Sequence, residues 1–417
     1  MTVGERTAPP RRALDGLRVL DLSRVLAGPW CAQLLGDLGA DVVKIESPGR
    51  GDDARELGVA LDTPTPGPGR DSNFFLACNR NKRSIAIDFA KPAGAELVRA
   101  LVQGCDVLVE NFKAGTLSRY GLDWATLKAI NPRLVYCSVT GFGQDGPYAT
   151  RPAYDFVMQA MTGMMSTCGI PDGTPGAAPM RTAIPATDLV TGYQACVAVL
   201  GALIQRGITG HGQFIDAAML DASIAFNVHL AQGFLLDGVV PTRQGNNNPI
   251  AAPSGVFRTA DGWLVVAAGN DRQFANLCNA LDRPALATHP LFSTNGQRIV
   301  SRLALHAEIE PLLAAQTTAH WLQRLEAAQV PTTRINSMDQ VFDDPQVRHR
   351  QMTVEVDHAS GQRISILRSA LNMSDSPVHY RAPPQLGQHT REVLTQWAAM
   401  TPTQIEALYT AGVVEGA

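Results

Sequence analysis

LRVLDLSRVLAGPWCAQLLGDLGADVVKIE, residues 17–46, decides the fold. LRVLDL (17–22) is a short apolar run that reads as a buried strand. Pro29 opens a helix running through Leu38, because a proline ring suits a first helical turn, and Gly39 ends it. DVVKIE (41–46) is the next strand. Outward from this unit the alternation continues. SIAIDF (84–89) is a strand, with a helix beginning near Pro92. DVLVEN (106–111) and LVYCSVT (134–140) are two more, with helical pattern between Leu117 and Ile130. Strands alternating with helices predict an α/β fold with a parallel, Rossmann-like sheet.

The middle changes character. Residues 163–187 are rich in Gly, Pro and Thr and read as loop. Leu189–Gln205 is a long apolar helix, GQFIDAAML (212–220) a strand, and Asp221–Leu236 a second apolar helix. VPTRQGNNNPIAAPSG (240–255) is loop and a domain boundary. GVFRTADGWLVVAAG (255–269) reads as a hairpin turning at Asp261-Gly262. Helices containing Phe274–Leu281, Ile299–Gln316 and His320–Ala328 follow. QRISILRSAL (362–371) returns to strand character, and Thr390–Trp397 and Thr403–Ala411 are C-terminal helices. Residues 1–14 read as a flexible tail without the apolar core of a signal peptide.

Composition narrows the function. The 417 residues carry a net charge of −3, with 45% hydrophobic and 18% charged residues. That is a soluble globular profile and argues against a nucleic-acid binder, which is usually basic. No apolar run of 18 residues is read, so no membrane span is expected. The seven cysteines are scattered and form no C-x-x-C pair. They read as buried free thiols of a reducing, cytoplasmic compartment. The nine histidines form no H-x-x-x-H or H-E-x-x-H pair, so no metal is expected. GFGQDG (141–146) fits G-x-G-x-x-G after a strand. Pro147 and Pro152 follow where a helix would have to open, so it reads as a plain turn and not a nicotinamide site.

Four segments in order resemble the class III coenzyme A transferases, the formyl-CoA transferase and carnitine CoA-transferase group. They are DLSRVLAGPWCAQLLGDLGADVVKIESPGRGD (21–52), NRNKRSIAID (79–88), ENFKAGTLSRYGL (110–122) and ATDLVTGYQA (186–195). The resemblance runs from about residue 15 to about residue 395. It implies a large domain of residues 15–240 and 340–417, a smaller α+β domain of residues 245–335, and an interlocked homodimer.

The resemblance also implies the chemistry. Asp188 takes the position of the nucleophile that carries the acyl group. From its place before an apolar helix, Asp188 also reads as an N-cap, ionised at an ordinary carboxylate pKa of about 3.9. A carboxylate nucleophile needs no general base, but the oxyanion it generates needs preorganised donors. Family positions that hold coenzyme A map to Leu26, Lys44, Arg83, Ile87, Asp88, Phe89, Ala90, Asn111, Phe112, Lys113, Arg119, Arg151 and Tyr154. Arg119 is favoured for phosphate, since guanidinium binds it bidentately. Gly245, Asn246 and Asn247 stand where the formyl-CoA enzyme has a mobile glycine-rich loop. Its arginine after the KIE strand is Ser47 here, its lysine after IDF is Ala90, and its glutamine near the nucleophile is Leu26. These departures argue against formyl-CoA and oxalyl-CoA.

Related α-methylacyl-CoA racemases place a His-Asp pair at Tyr154 and Asp155 and a glutamate near Asn270. Tyrosine, with a pKa of about 10, is a poor base near neutrality. Tyr154 and Asp155 are therefore expected to shape a transferase site. A racemase-like enzyme or a non-catalytic CoA-binding protein are the alternatives. AAGNDRQFANLCNALD (267–282) and INSMDQVFDDPQV (335–347) look closest to the succinyl-CoA-dependent, dicarboxylate-using branch. Partners are then an acyl-CoA donor and a carboxylic acid acceptor, the latter held by Arg181 or Arg243.

Overall fold

The computed structural model describes residues 12–62 and 71–416. The tail assigned to residues 1–14 therefore lies almost wholly outside the described residues. Two compact units are present. One comprises the described residues of Met1–Gly163, Thr182–Gly238 and Gln351–Ala417, and the other Met164–Arg181 with Val239–Arg350.

The first unit is built on a seven-stranded sheet. Its strands are β1 (Arg18–Asp21), β2 (Asp41–Glu46), β3 (Lys82–Ile87), β4 (Val107–Glu110), β5 (Val135–Thr140), β6 (Phe214–Ala218) and β7 (Val414–Glu415), in the order β7-β3-β2-β1-β4-β5-β6. All neighbours are parallel except β7, which runs antiparallel to β3. The strands are apolar on both faces because both faces are covered. Leu20, Val43, Ile85 and Leu108 point into one core with the helices Pro92–Val102 and Thr390–Ala398. Val19, Val42, Val107 and Val135 point into the other, against α1 (Ala27–Asp37) and a long later helix.

That helix changes the sequence reading. α2 (Asp155–Met161) precedes it, and α3 runs Ala186–Thr209, starting three residues before the expected Leu189. Among the described residues α3 is the one single helix long and apolar enough to cross a membrane, correcting the expectation that no such run exists. Its inner face packs on α1, β5 and β6. The second apolar helix is two, α4 (Met219–Phe226) and α5 (Val228–Asp237), bent by 78°. Val228 has φ +41° at the break, and the Asn227 side chain donates to the Thr162 carbonyl at 2.7 Å.

The second unit carries the expected hairpin, Ser254–Arg258 against Trp263–Ala267, extended by Thr332–Arg334. Helices Asp271–Ala280, Arg302–Ala314 and Thr318–Ala327 cover it. Residues 164–181, read as loop, contain a short helix, Met164–Thr167, and the two-residue strands Gly169–Ile170 and Ala178–Pro179.

Candidate active site

The order of the sheet reverses at β1, which has β2 on one side and β4 on the other. Chains leaving β1 and β4 diverge there and open a crevice outside their carboxyl ends, the usual ligand position in such sheets. Within the first unit this crevice is lined by Arg24–Ala27 after β1, Asn111–Ala114 after β4, Thr140 and Gly141 after β5, Arg151–Tyr154 before α2, and Asp188.

Asp188 is the third residue of α3. Pro185 occupies the N-cap, which corrects the reading of Asp188 as the cap. The carboxylate still benefits from the first turn, where a helix dipole favours negative charge. The backbone N–H of Ala27 also hydrogen-bonds it. Burial opposes both, and the neighbouring Asp155 charge adds to it, so the carboxyl is pushed up to about 7. The expected ordinary carboxylate pKa is therefore corrected: desolvation and a like charge outweigh one hydrogen bond and a helix terminus.

Asp155 and Thr187 set where Asp188 stands. Asp155 Oδ1 accepts from the Thr187 N–H at 2.9 Å and from Thr187 Oγ1 at 2.7 Å, and its Oδ2 accepts from Gln159 Nε2 at 2.7 Å. Gln159 Oε1 accepts from the Thr182 N–H at 2.9 Å, so α2 holds the segment that leads into α3. One helical turn after Asp188, a Cβ on Gly192 would lie 2.7 Å from the Ala27 carbonyl oxygen and 3.0 Å from Trp30 Cβ. The missing side chain lets α1 and α3 approach closely enough for the Ala27 N–H to reach Asp188. Tyr154 is exposed and lines the crevice.

The expected coenzyme A positions separate into three groups. Leu26, Asn111, Phe112, Lys113, Arg151 and Tyr154 line the crevice. Asn111 holds both backbone groups of Arg24, accepting from its N–H and donating to its carbonyl, each at 2.7 Å. Phe112 packs edge-on against Phe89 at 5.7 Å, and the Arg24 guanidinium lies 5.1 Å above Phe112. Lys113 is exposed at the wall, and Arg151 stacks 3.8 Å over Tyr148. Asp88 and Ala90 form the turn after β3, with Asp88 Oδ1 accepting from the Ala90 N–H at 3.1 Å. Arg119 is exposed on the turn Leu117–Tyr120, outside the crevice lining.

Lys44, Arg83 and Ile87 are not brought to the crevice. Lys44 is fully buried, 2.8 Å from Asp52 and donating to the Ser23 carbonyl at 2.7 Å. Arg83 is buried against Asp41, Glu392 at 3.1 Å and Gln396 at 2.9 Å. Ile87 is a core residue paired with Val414. The side chains of Lys44 and Arg83 are taken up by ion pairs and that of Ile87 by the core, so none of the three lines the crevice. Gly245, Asn246 and Asn247 belong to the second unit, where Gly245 has φ +60° and the Asn247 N–H donates to Gln244 at 3.1 Å. Arg243, an acceptor candidate, is paired with Asp172 and donates to the Ile170 carbonyl at 2.9 Å; Arg181, the other, is exposed.

Sequence reasoning missed two features. The Ala27 N–H is a backbone group, signalled only by the helix start at AGP. Glu110, at the end of β4, is pushed up to about 7 by burial, against hydrogen bonds from Ser138 and the Phe112 N–H. No group of His, Cys, Asp and Glu suited to a metal is present among the described residues. GFGQDG is a turn with Gly143 and Gly146 at positive φ, and the next helix begins at Asp155.

Residues 14–390 match the model of CoA-transferase family III. The succinate–glutarate CoA-transferase of Agrobacterium fabrum is 40% identical over 402 residues, covering 95% of this chain and 98% of that protein. The human succinyl-CoA:glutarate CoA-transferase is 38% identical over 405 residues, covering 97% and 90%. The crystal structure of a CAIB/BAIF family protein from Brucella suis superimposes with a TM-score of 0.83 at 41% identity, covering 93% of this chain and all of that one. The chain belongs to CoA-transferase family III and is an enzyme that moves coenzyme A between an acyl-CoA and a carboxylic acid.

Proposed function

We propose that this enzyme moves coenzyme A from succinyl-CoA to a dicarboxylic acid acceptor through a thioester on Asp188. The observation that carries the reading is Asp188 itself, a crevice carboxylate that meets a backbone N–H and the first turn of α3. The Asp188 carboxylate attacks the thioester carbonyl of the donor. The tetrahedral oxyanion collapses, expelling CoA thiolate and leaving a mixed anhydride. Thiolate then attacks the aspartyl carbonyl, which releases the donor acid and forms the aspartyl-CoA thioester. The acceptor carboxylate attacks that thioester, giving a second anhydride and thiolate. Thiolate attack on the acceptor acyl carbonyl yields the new acyl-CoA and restores Asp188. No proton transfer is needed, so no general base is required.

Desolvation serves this chemistry. A carboxylate stripped of water is a stronger nucleophile, and a site that excludes water protects both anhydrides from hydrolysis. Phe112, Lys113 and Arg151, with Arg119 and the turn Asp88–Ala90, form the coenzyme A side. Tyr154 contacts the acyl group, and Asp155 positions Asp188 through Thr187. Gly245, Asn246 and Asn247 remain the active-site loop that the family resemblance implies, and Arg181 or Arg243 the acceptor's cation. The succinyl donor and dicarboxylate acceptor are supported by the relatives' specificities.

The enzyme works as a homodimer in this reading. The outer face of α3 exposes Ile204 at 71% and Ile208 at 84%, and α5 exposes Leu236 at 79%. Apolar side chains in such number ask for a partner. Free cysteines, six of them buried, suit a cytoplasmic enzyme.

The test is to incubate the enzyme with succinyl-CoA and a panel of acids, reading new CoA esters by mass. In parallel, hydroxylamine is added to enzyme and succinyl-CoA without acceptor. Dicarboxylyl-CoA products and a hydroxamate at Asp188 are expected. An unmodified Asp188 in an active enzyme would overturn the mechanism.

A further inference from the structure

We propose that the buried pair Lys44–Asp52 is a positioning device for the transfer reaction, holding the turn Ser23–Val25 so that the Ala27 N–H faces Asp188. The inference rests on the reading of Asp188 as the nucleophile.

The turn needs holding. Val25 has φ +69°, in the left-handed region, where a β-branched residue is an outlier. Such a conformation persists only when its surroundings over-determine it, and it clusters at functional sites. Here the surroundings are specific. Asp52 Oδ1 accepts from the Val25 N–H at 3.0 Å and from the Ala54 N–H at 2.9 Å. Lys44 Nζ donates to the Ser23 carbonyl at 2.7 Å and stands 2.8 Å from the other Asp52 oxygen. Asn111 holds the N–H and carbonyl of Arg24 between them. Side chains thus take four consecutive backbone groups of the turn, and no helix or sheet ladder does.

Both ends of the turn are fixed as well. Asp21 Oδ1 accepts from the Ser23 N–H at 3.0 Å. Lys82 Nζ reaches Asp21 and Asn79, each at 2.8 Å, and the Pro29 carbonyl in the first turn of α1 at 2.9 Å. Asp52 is braced in turn. Its N–H donates to Glu46 Oε2 at 3.0 Å, and Arg55 grips Glu46 at 2.7 and 2.8 Å. A Cβ on Gly28 would lie 2.3 Å from Ser23 Cβ, so the turn folds back on the start of α1 with no slack.

Buried ion pairs are weak evidence for stability, since desolvating the charges offsets their attraction. Lys44 and Asp52, both fully buried and both bonded to the backbone of the turn Ser23–Val25, therefore ask for another reason. Fixing that turn supplies it. The turn ends in the N–H that meets the reacting carboxyl, and donors contribute to catalysis in proportion to how little they must reorganise.

A double-mutant cycle tests the inference. Asp52→Asn keeps the shape but removes the charge that fixes Lys44 and the Val25 N–H. It is expected to lower kcat roughly 100-fold, the scale lost when one preorganised donor is misplaced, with KM for acyl-CoA nearly unchanged. Glycine takes positive φ freely, so Val25→Gly removes the strain that the pair restrains. In the Val25→Gly background the same Asp52→Asn change is expected to lower kcat less than about tenfold, an interaction between coupled neighbours. Equal losses in both backgrounds, or a lower melting temperature with unchanged kcat per folded enzyme, would overturn the proposal. If Asp52→Asn does not fold, Asp52→Glu keeps the charge and displaces the carboxylate by one methylene. Wild-type kcat in a folded Asp52→Glu enzyme would likewise overturn it. Hydroxylamine trapping on the wild-type enzyme separates the two readings. An untrapped Asp188 sinks the nucleophile, whereas trapping at equal rates in the wild type and Asp52→Asn sinks only the positioning role.

Discussion

Asp155 grips Thr187 through both its N–H and its hydroxyl, and so fixes the residue that precedes Asp188. The same carboxylate raises the Asp188 pKa by its charge, after burial. One side chain therefore sets the position of the proposed nucleophile and helps set its protonation. Asp155→Asn would keep an acceptor for Thr187 and remove the charge.

The transfer rate is expected to have an acid limb near pH 7. In the proposed mechanism only ionised Asp188 attacks, and burial with the Asp155 charge pushes its carboxyl up to about 7. kcat/KM, which reports the free enzyme, should fall as pH drops below that value. In Asp155→Asn the limb should move toward lower pH. A flat profile from pH 5 to pH 8 would contradict it.

Asp188→Asn is expected to lose activity roughly a thousandfold or more, since covalent catalysis has no substitute here. It should also be more stable than wild type at pH 8. The raised pKa means that the folded state binds more protons than the unfolded state between about pH 4 and 7, so stability falls as pH rises through 7. The amide removes that penalty. A melting temperature at least ~2 °C higher at pH 8, and a smaller difference at pH 5, is the expected calorimetric result.

Glu110 carries the same sign. Burial pushes its carboxyl up to about 7, so it too makes stability decline as pH rises through that value. Glu110→Gln should flatten the fall in melting temperature between about pH 4.5 and 7. Glu46 behaves oppositely: burial pushes it up, but Arg55 holds it down to about 2. Its contribution is present above pH 4.5 and is lost only as pH drops toward 2.

Incubation with a 2-methylacyl-CoA in deuterated water is expected to exchange no α-proton. The position at which racemases place a histidine is Tyr154. Fast exchange measured by mass would restore an acid–base mechanism.

At nanomolar concentration, mass photometry is expected to show a dimer. Ile204→Asp, on the exposed face of α3, should yield monomer or insoluble protein. A dimer unchanged by this substitution would place the interface elsewhere.

The parallel sheet was legible because its strands are unbroken runs of Val, Ile and Leu bounded by glycine and proline. DVVKIE coincides with β2 to the residue. SIAIDF begins two residues later than β3, because Lys82 and Arg83 are polar side chains buried by ion pairs that no periodicity reveals. Lys44 was linked to coenzyme A through the family resemblance alone, and the carboxylates that bury it, Asp21 and Asp52, are invisible to strand periodicity. The start of α3 was misplaced because Pro185, a poor cap, takes the N-cap position that Asp188 seemed to fill. The left-handed Val25 leaves no trace in sequence, since what compels it lies 27 residues away at Asp52.

Gly192 touches no reacting group, yet it sets the gap between α1 and α3. An added methyl there would collide with the Ala27 carbonyl and the base of Trp30, and the two helices would have to spread. The spread would be taken up at the Ala27 turn, which ends in the N–H that steadies Asp188. The tolerance of this active site is thereby written in the interior of a helix, as a spacing of a few tenths of an ångström. A survey of substitutions along α3 would find a second intolerant position one turn beyond Asp188, at a residue with no functional group at all.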